Sequence, residues 1–159
     1  MKMFIFGLIL MSMQNCCKDE ITGYHKTIIF KNNSLKELYI MNSNKYPDTM
    51  SFQYGGNLLS QPKIYKVSPN DSNDAALFSK TYYETLFYNK VIIPSDTLMI
   101  FVFDRNVLEQ RLWKEVYTNY LVAQRYDLSL DDLKKLNWAI SYPPIESMKD
   151  IHMYPPYKK

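Results

Sequence analysis

Asp96-Thr97-Leu98-Met99-Ile100-Phe101-Val102-Phe103 is the stretch on which the fold turns. Its apolar run is unbroken from Leu98 to Phe103. A strand with one wet face alternates polar and apolar residues, so an unbroken run of this length suits a central strand covered on both faces. Asp104-Arg105-Asn106 ends the run and can cap a helix beyond it. Downstream, Leu108, Leu112 and Val116 fall at i, i+4 and i+8 with Trp113 beside them, while Glu109, Gln110, Arg111, Lys114 and Glu115 fill the other face. This spacing predicts one amphipathic helix of about three turns over 107–117, packed on the sheet.

Further along, Tyr120 to Tyr126 reads as a returning strand. Leu128-Ser129-Leu130-Asp131-Asp132-Leu133 carries the clearest local signature. Ser129 suits the N-cap, Asp132 the third helical position, and Leu128 and Leu133 the hydrophobic staple. A short helix ending near Asn137 is expected from this, and then Trp138, Ile140 and Tyr142 alternate as a last strand before Pro143-Pro144. Tyr142-Pro143-Pro144 recurs as Tyr154-Pro155-Pro156. These two segments suit extended chain lying along a sheet edge and blocking further pairing.

Toward the N-terminus, Lys26 to Phe30 and Glu37 to Met41 are rich in β-branched and aromatic residues and flank the turn-prone Lys31-Asn32-Asn33-Ser34. Strand, polar turn, strand predicts an antiparallel hairpin. Met50, Phe52 and Tyr54 alternate with Ser51 and Gln53, a period of two that predicts another strand, closed by Gly55-Gly56. Lys63 to Val67 is a further candidate strand between Pro62 and Ser68-Pro69, and Asn70 to Asp74 is a polar loop. Residues 81–87 admit two readings. Their aromatic and β-branched content suits a strand, whereas the Thr81–Glu84 capping-box spacing favours a short helix. Many short strands without regular strand–helix alternation predict a mainly β, α+β fold. The expected architecture is an antiparallel β-sandwich-like domain with one or two short helices packed on the sheet. It spans residues 25–159 and ends in an extended tail containing Pro and Tyr.

The chain has 159 residues, of which 47% are hydrophobic and 15% aromatic, which excludes intrinsic disorder and sets the length of one domain. Its formal charge is only +3, and its lysines are scattered in runs no longer than Lys134-Lys135 or Lys158-Lys159. There is no electrostatic footprint for nucleic acid.

The first twenty residues carry a different message. Lys2 precedes an apolar run from Phe4 to Met11, which gives way abruptly to Gln14-Asn15-Cys16-Cys17-Lys18-Asp19-Glu20. As a helix the run covers about half of a ~30 Å hydrocarbon core, too short to span it. A positive start, a short apolar stretch and a polar flank read as a signal peptide over residues 1–15. The chain's two cysteines are adjacent, so a bridge between them is strained and the rest of the sequence has no disulfide. Met13 to Cys17 resembles the lipobox of bacterial lipoproteins, in which the signal is cut before a Cys that carries acyl chains. Met13 matches the apolar position if Cys16 is modified. Gln14 and Asn15 depart from the usual small residues, and Cys17 is the alternative. Residues 16–24 then form the lipidated Cys and a short tether. Cleavage before Cys16 removes 15 of the 159 residues, leaving 144, and lowers the charge from +3 to +2 through loss of Lys2.

A second resemblance supports the first. Arg125 to Leu133, Asn137-Trp138 and Tyr142-Pro143-Pro144, with Tyr46-Pro47-Asp48-Thr49 and the Asp96–Asp104 strand, are similar to a group of lipoproteins of Gram-negative gut bacteria. The resemblance implies a lipid-anchored location at the outer membrane or elsewhere in the cell envelope and a comparable domain, and no activity. Asp48-Thr49-Met50 and Asp96-Thr97-Leu98 look like the O-glycosylation sequons of such bacteria. Thr49 is the better acceptor candidate, because Asp96 opens a core strand.

Chemistry-bearing motifs are few. His25 and His152 lie at opposite ends of the mature chain and read as surface residues, and the four glycines form no Gly-x-Ser-x-Gly elbow. No phosphate-binding glycine loop or His-Glu-x-x-His occurs. Asn70-Asp71-Ser72-Asn73-Asp74 alternates oxygen ligands, but Ala75 and Thr81 stand where a calcium loop needs Gly and Glu. Asp127, Asp131 and Asp132 are explained by the positive end of the helix they precede or open. The expectation is therefore no catalytic residue, no metal and no cofactor. Membrane contact would come through the lipid anchor, with a protein or glycan as partner. Rival readings are a small exported hydrolase using carboxylates near Asp104 or Asp127, and an inhibitor or accessory subunit using the Tyr-Pro-Pro segments.

Overall fold

The structure, a computed structural model, describes residues 23–60 and 65–158. Among these residues eight strands form two sheets, mostly antiparallel, and the helices are short, so the fold is mainly β within the α+β class. The larger sheet has five strands in the order β3 (Lys66–Val67), β2 (Leu38–Ser43), β5 (Leu98–Asp104), β6 (Gln124–Leu128), β8 (His152–Tyr154). A three-stranded sheet in the order β4 (Asp71–Asn73), β1 (Ile29–Asn32), β7 (Ala139–Tyr142) covers one of its faces.

β5 is central and every one of its residues is buried. Its alternation serves two cores. Leu98, Ile100 and Val102 pack between the sheets with Phe30, Tyr126 and Ile140. Met99, Phe101 and Phe103 pack on the opposite face with Phe52, Leu108 and Val116. Fully burying each such side chain stabilises the fold by about 1.5–3 kcal/mol, which makes β5 the main apolar contributor. The result is three layers: small sheet, large sheet, and a covering layer of short helices.

Several expectations are corrected by pairing. The segments 26–30 and 37–41 do not form a hairpin. β1 pairs in parallel with β7 and antiparallel with β4, whereas β2 pairs with β3 and β5. The buried Asn32 side chain sends the chain from one sheet to the other. Its Nδ2 donates to the carbonyls of Lys36 (2.7 Å) and Ser68 (2.9 Å), and its Oδ1 accepts from Ser34. Residues 50–54 are not a strand. Both neighbours of β2 are already in place, and Ser51–Gly55 instead winds into a 3-10 helix that drops Phe52 into the second core. The polar segment at 70–74 contains β4, paired with β1.

The helix expected over 107–117 is two helices, α2 (Arg105–Gln110) and α3 (Trp113–Thr118). Leu112, between them, has extended backbone and is 72% exposed. The break re-aims Trp113, whose Nε1 donates to the Gln53 carbonyl at 3.0 Å and whose ring packs against Phe52 and Phe103. The strand expected over 120–126 begins later, at Gln124, because Tyr120 and the residues after it turn the chain. Among the described residues four short α-helices replace the one or two expected. Residues 81–87 resolve as helix, in α1 (Tyr83–Tyr88), but its N-cap is Tyr82 and Thr81 makes no cap. α4 (Leu130–Lys135) begins as the sequence predicts. The Ser129 hydroxyl accepts from Asp132 N at 3.1 Å, and Asp132 Oδ2 accepts from Ser129 N at 3.0 Å.

Candidate functional site

On β6, Tyr126 and Leu128 point into the core between the sheets, so the period of two places Arg125 and Asp127 on the opposite face. Both are buried, Arg125 at 8% and Asp127 at 4% exposure. Arg125 grips the carboxylate with a fork: Nε donates to Oδ1 at 2.8 Å and Nη2 to Oδ2 at 3.1 Å. Its Nη1 donates to the Tyr120 hydroxyl. Burial works against the guanidinium charge, but the Asp127 and Tyr120 contacts outweigh it and hold the Arg125 pKa above its ordinary value. Burial likewise raises the Tyr120 hydroxyl, against the opposing pull of Arg125.

β8 completes the cluster. Its register sets Tyr154 opposite Arg125 and His152 opposite Asp127. The Tyr154 ring meets Tyr120 edge-on with centroids 5.3 Å apart, and the guanidinium lies 6.0 Å from its centre. His152 Nδ1 is 2.6 Å from Asp127 Oδ2, yet the imidazole is 70% exposed. A carboxylate at Nδ1 fixes the ring and turns Nε2 outward. That is the base half of a proton-transfer arrangement. Among the described residues, no serine or threonine hydroxyl is hydrogen-bonded to it. The cluster can present an oriented imidazole and two aromatic faces on a rigid, charged base.

The other histidine is built the same way. His25 Nδ1 lies 2.7 Å from Glu84 Oε1, its backbone N donates to Oε2 at 2.9 Å, and its ring stacks on Trp138 at 4.2 Å. Glu84, expected to close a capping box with Thr81, is thus turned toward His25 and buried.

The remaining sequence candidates fall in separate places. Asp104 caps α2 through Asn106 N (2.9 Å) and pairs with Lys36 (2.7 Å). It does not converge with Asp127, since the two lie at opposite ends of neighbouring strands. Asp131 and Asp132 occupy the first turn of α4. Thr49 is half-exposed in a turn held by Asp48, whose carboxylate accepts from Met50 N at 3.0 Å. Cys16, Cys17 and the expected signal segment lie outside the described residues.

Concavities among the described residues are open ones. One of about 330 Å³ brings Asp96 and Asp131 together, but Lys90 and Lys134 line it too and pair with those acids. The two Tyr-Pro-Pro segments converge. Tyr142-Pro143-Pro144 leaves β7, the edge of the small sheet, and Tyr154-Pro155-Pro156 leaves β8, the edge of the large one. Tyr142, Pro143, Pro144, Pro155 and Pro156, together with Gln124, whose Nε2 donates to the Pro155 carbonyl at 2.7 Å, line a groove of about 270 Å³. Among the described residues no group of three or more His, Cys, Asp or Glu is placed to hold a metal ion. No described helix is long and apolar enough to cross a membrane.

Sequence reasoning missed Arg125, Tyr120 and Glu84. A signal existed for the first. Arg125-x-Asp127 and His152-x-Tyr154 share the i, i+2 spacing that places both members on one face of a strand. No family model, curated protein or solved structure matches the chain.

Proposed function

We propose that the protein is a lipid-anchored component of the cell envelope that binds a protein or glycan partner and performs no catalysis of its own. The anchor is Cys16, with Cys17 as the alternative. The binding face is the β8 edge together with the adjoining Tyr-Pro-Pro groove. The observation that carries this reading is the disposition of the buried acids. Asp104 caps a helix and pairs with Lys36, Asp127 is gripped by Arg125, and Glu84 holds His25. A hydrolase of the rival kind needs two carboxylates converging on a substrate, and these are each spent on a separate structural contact. Tyr154 and His152, by contrast, are rigid and outward, the kind of preorganised aromatic and polar groups that anchor interfaces.

The accessory-subunit reading shares this face and is favoured by the convergence of the two Tyr-Pro-Pro segments. Metabolic labelling with an alkyne fatty acid tests the anchor: label on the wild type and none on the Cys16→Ser/Cys17→Ser chain is expected. An unlabelled wild type rejects it. Photo-crosslinking in native membranes from position 154, compared with position 112 in the helix layer, tests the face. Adducts specific to position 154 and lost on His152→Ala are expected, and equal adducts from both positions reject the assignment.

A further inference from the structure

The described chain starts beside an exposed aromatic and basic surface that no packing role explains. Tyr24 is 54% exposed and rests on Tyr82 with ring centroids 5.4 Å apart. Lys26 Nζ sits 4.9 Å above the Tyr82 ring. The segment is bound along residues 78–83: Ser79 N donates to the Lys26 carbonyl, Tyr83 N to the His25 carbonyl, and Thr27 bridges Phe78. Phe78 is 57% exposed, and Ile29, two residues beyond Thr27, faces outward from β1. Lys80 is exposed between Phe78 and Tyr82, and neither it nor Lys26 has an ion-pair partner among the described residues. Glu84, the nearest acid on this segment, is buried and bonded to His25.

We infer that the surface formed by Tyr24, Lys26, Ile29, Phe78, Lys80 and Tyr82 lies against a lipid bilayer bearing anionic headgroups. The inference rests on the lipid anchor proposed above. From Cys16 or Cys17 to Tyr24 the chain can reach no further than ~29 Å at ~3.6 Å per residue, whatever its conformation. Anchoring at either cysteine therefore confines this face to the neighbourhood of the membrane. Tethering of that length gives an effective concentration in the millimolar range, so a contact too weak to recruit a free protein still sets its orientation. The chemistry matches the interface. Tyr rings settle at headgroup depth with the hydroxyl in water, and lysines are drawn to an anionic surface. The helix layer with Leu112 lies beyond the large sheet from β1, two layer spacings or roughly 20 Å away at the usual ~10 Å each, and faces the aqueous side.

The experiment uses the full chain isolated in its lipidated form and reconstituted into phosphatidylethanolamine–phosphatidylglycerol vesicles. Flotation on a density gradient reports the anchor. Labelling with a membrane-impermeant amine reagent, read by mass spectrometry, reports the face. Lys26 and Lys80 are expected to label several-fold more slowly than Lys114 on α3. In the Tyr24→Asp/Phe78→Asp/Tyr82→Asp chain, which changes only exposed side chains, they are expected to label as fast as Lys114 while the chain still floats. Floating wild-type chain with all three lysines labelled alike overturns the bilayer face and leaves the anchor standing. Slow labelling that persists in the aspartate chain shows protection from within the protein and also overturns it. Failure to float overturns anchor and face together.

Discussion

Removing one member of the Arg125–Asp127 pair is expected to destabilise the domain far more than removing both. The Arg125 side chain is 10% exposed and that of Asp127 2%, and hydrogen bonds of 2.8 and 3.1 Å join them. Asp127→Asn keeps the volume but leaves a buried cation without its counter-charge, with one amide oxygen still accepting and an amide N–H set against the other guanidinium N–H. Breaking a buried pair from one side costs about 3–5 kcal/mol, whereas replacing both members by apolar groups of similar size is near neutral or better. A domain of this length has about 5–15 kcal/mol of total stability, so Asp127→Asn or Arg125→Met removes a large fraction of it. The Arg125→Met/Asp127→Leu chain is expected within about 1 kcal/mol of wild type, since Met99 and Phe101 stand opposite on β5 and the new side chains join that core. Urea unfolding of the four chains gives the double-mutant cycle, with an unchanged m-value confirming that the same surface is exposed. Single variants that each lose less than about 1 kcal/mol, or a double variant that loses the sum of the two, would show a hydrated pair and refute the reasoning.

Three further outcomes test other contacts. Burial pushes the Tyr83 hydroxyl up to about 12, and it donates to the Leu77 carbonyl at 2.7 Å. A raised pKa means the contribution is complete below the unfolded value near pH 10 and is lost as pH rises toward 12, so wild type should lose about 1.4 kcal/mol more than Tyr83→Phe between neutral pH and about pH 11. Equal alkaline losses in denaturant titrations of the two chains would remove that account. Asn32→Ala strands the Lys36 and Ser68 carbonyls at the crossover between sheets and should cost about 2–4 kcal/mol by thermal unfolding. Ser129→Ala should cost about 1 kcal/mol through loss of the α4 cap, while Leu112→Ser stays within about 0.5 kcal/mol because that leucine already faces water.

What was legible in the sequence was local. The uninterrupted run at β5 and the Ser129–Asp132 start of α4 depend on residues within a few positions of one another, and both stand in the structure as the pattern implied. What was not legible depended on competition for partners. The alternation of Met50, Phe52 and Tyr54 is a genuine period of two, but a strand also needs an edge, and β3 and β5 hold both edges of β2. The apparent hairpin at 26–41 failed for a related reason. Asn32 makes more hydrogen bonds by pinning the crossover than a two-strand turn would offer it, and β1 then finds β7 more than a hundred residues later. The 107–117 pattern implies one helix because Leu108, Leu112 and Val116 share a face. Packing Trp113 onto Phe52 and Phe103 outweighed continuity, and Leu112 was left outside.

The candidate site obeys the same division. Arg125 falls near the end of the expected strand and Asp127 reads as an acid facing the positive end of the following helix, because nothing near them in sequence says that β8 will cover them. Their burial is created by residues 152–154, whose own i, i+2 pair is complementary to theirs in antiparallel register. The two histidines then acquire a common meaning. Each belongs to a segment added at one margin of the fold, 24–27 or 152–154, and each bonds through Nδ1 to a buried acid on the body, Glu84 or Asp127. His25 has its ring committed to Trp138 as well, which leaves it a structural part. His152 has no such stack and keeps its outer nitrogen toward solvent. That difference, and not the mere presence of two histidines, is why the β8 edge is the place to look for a partner.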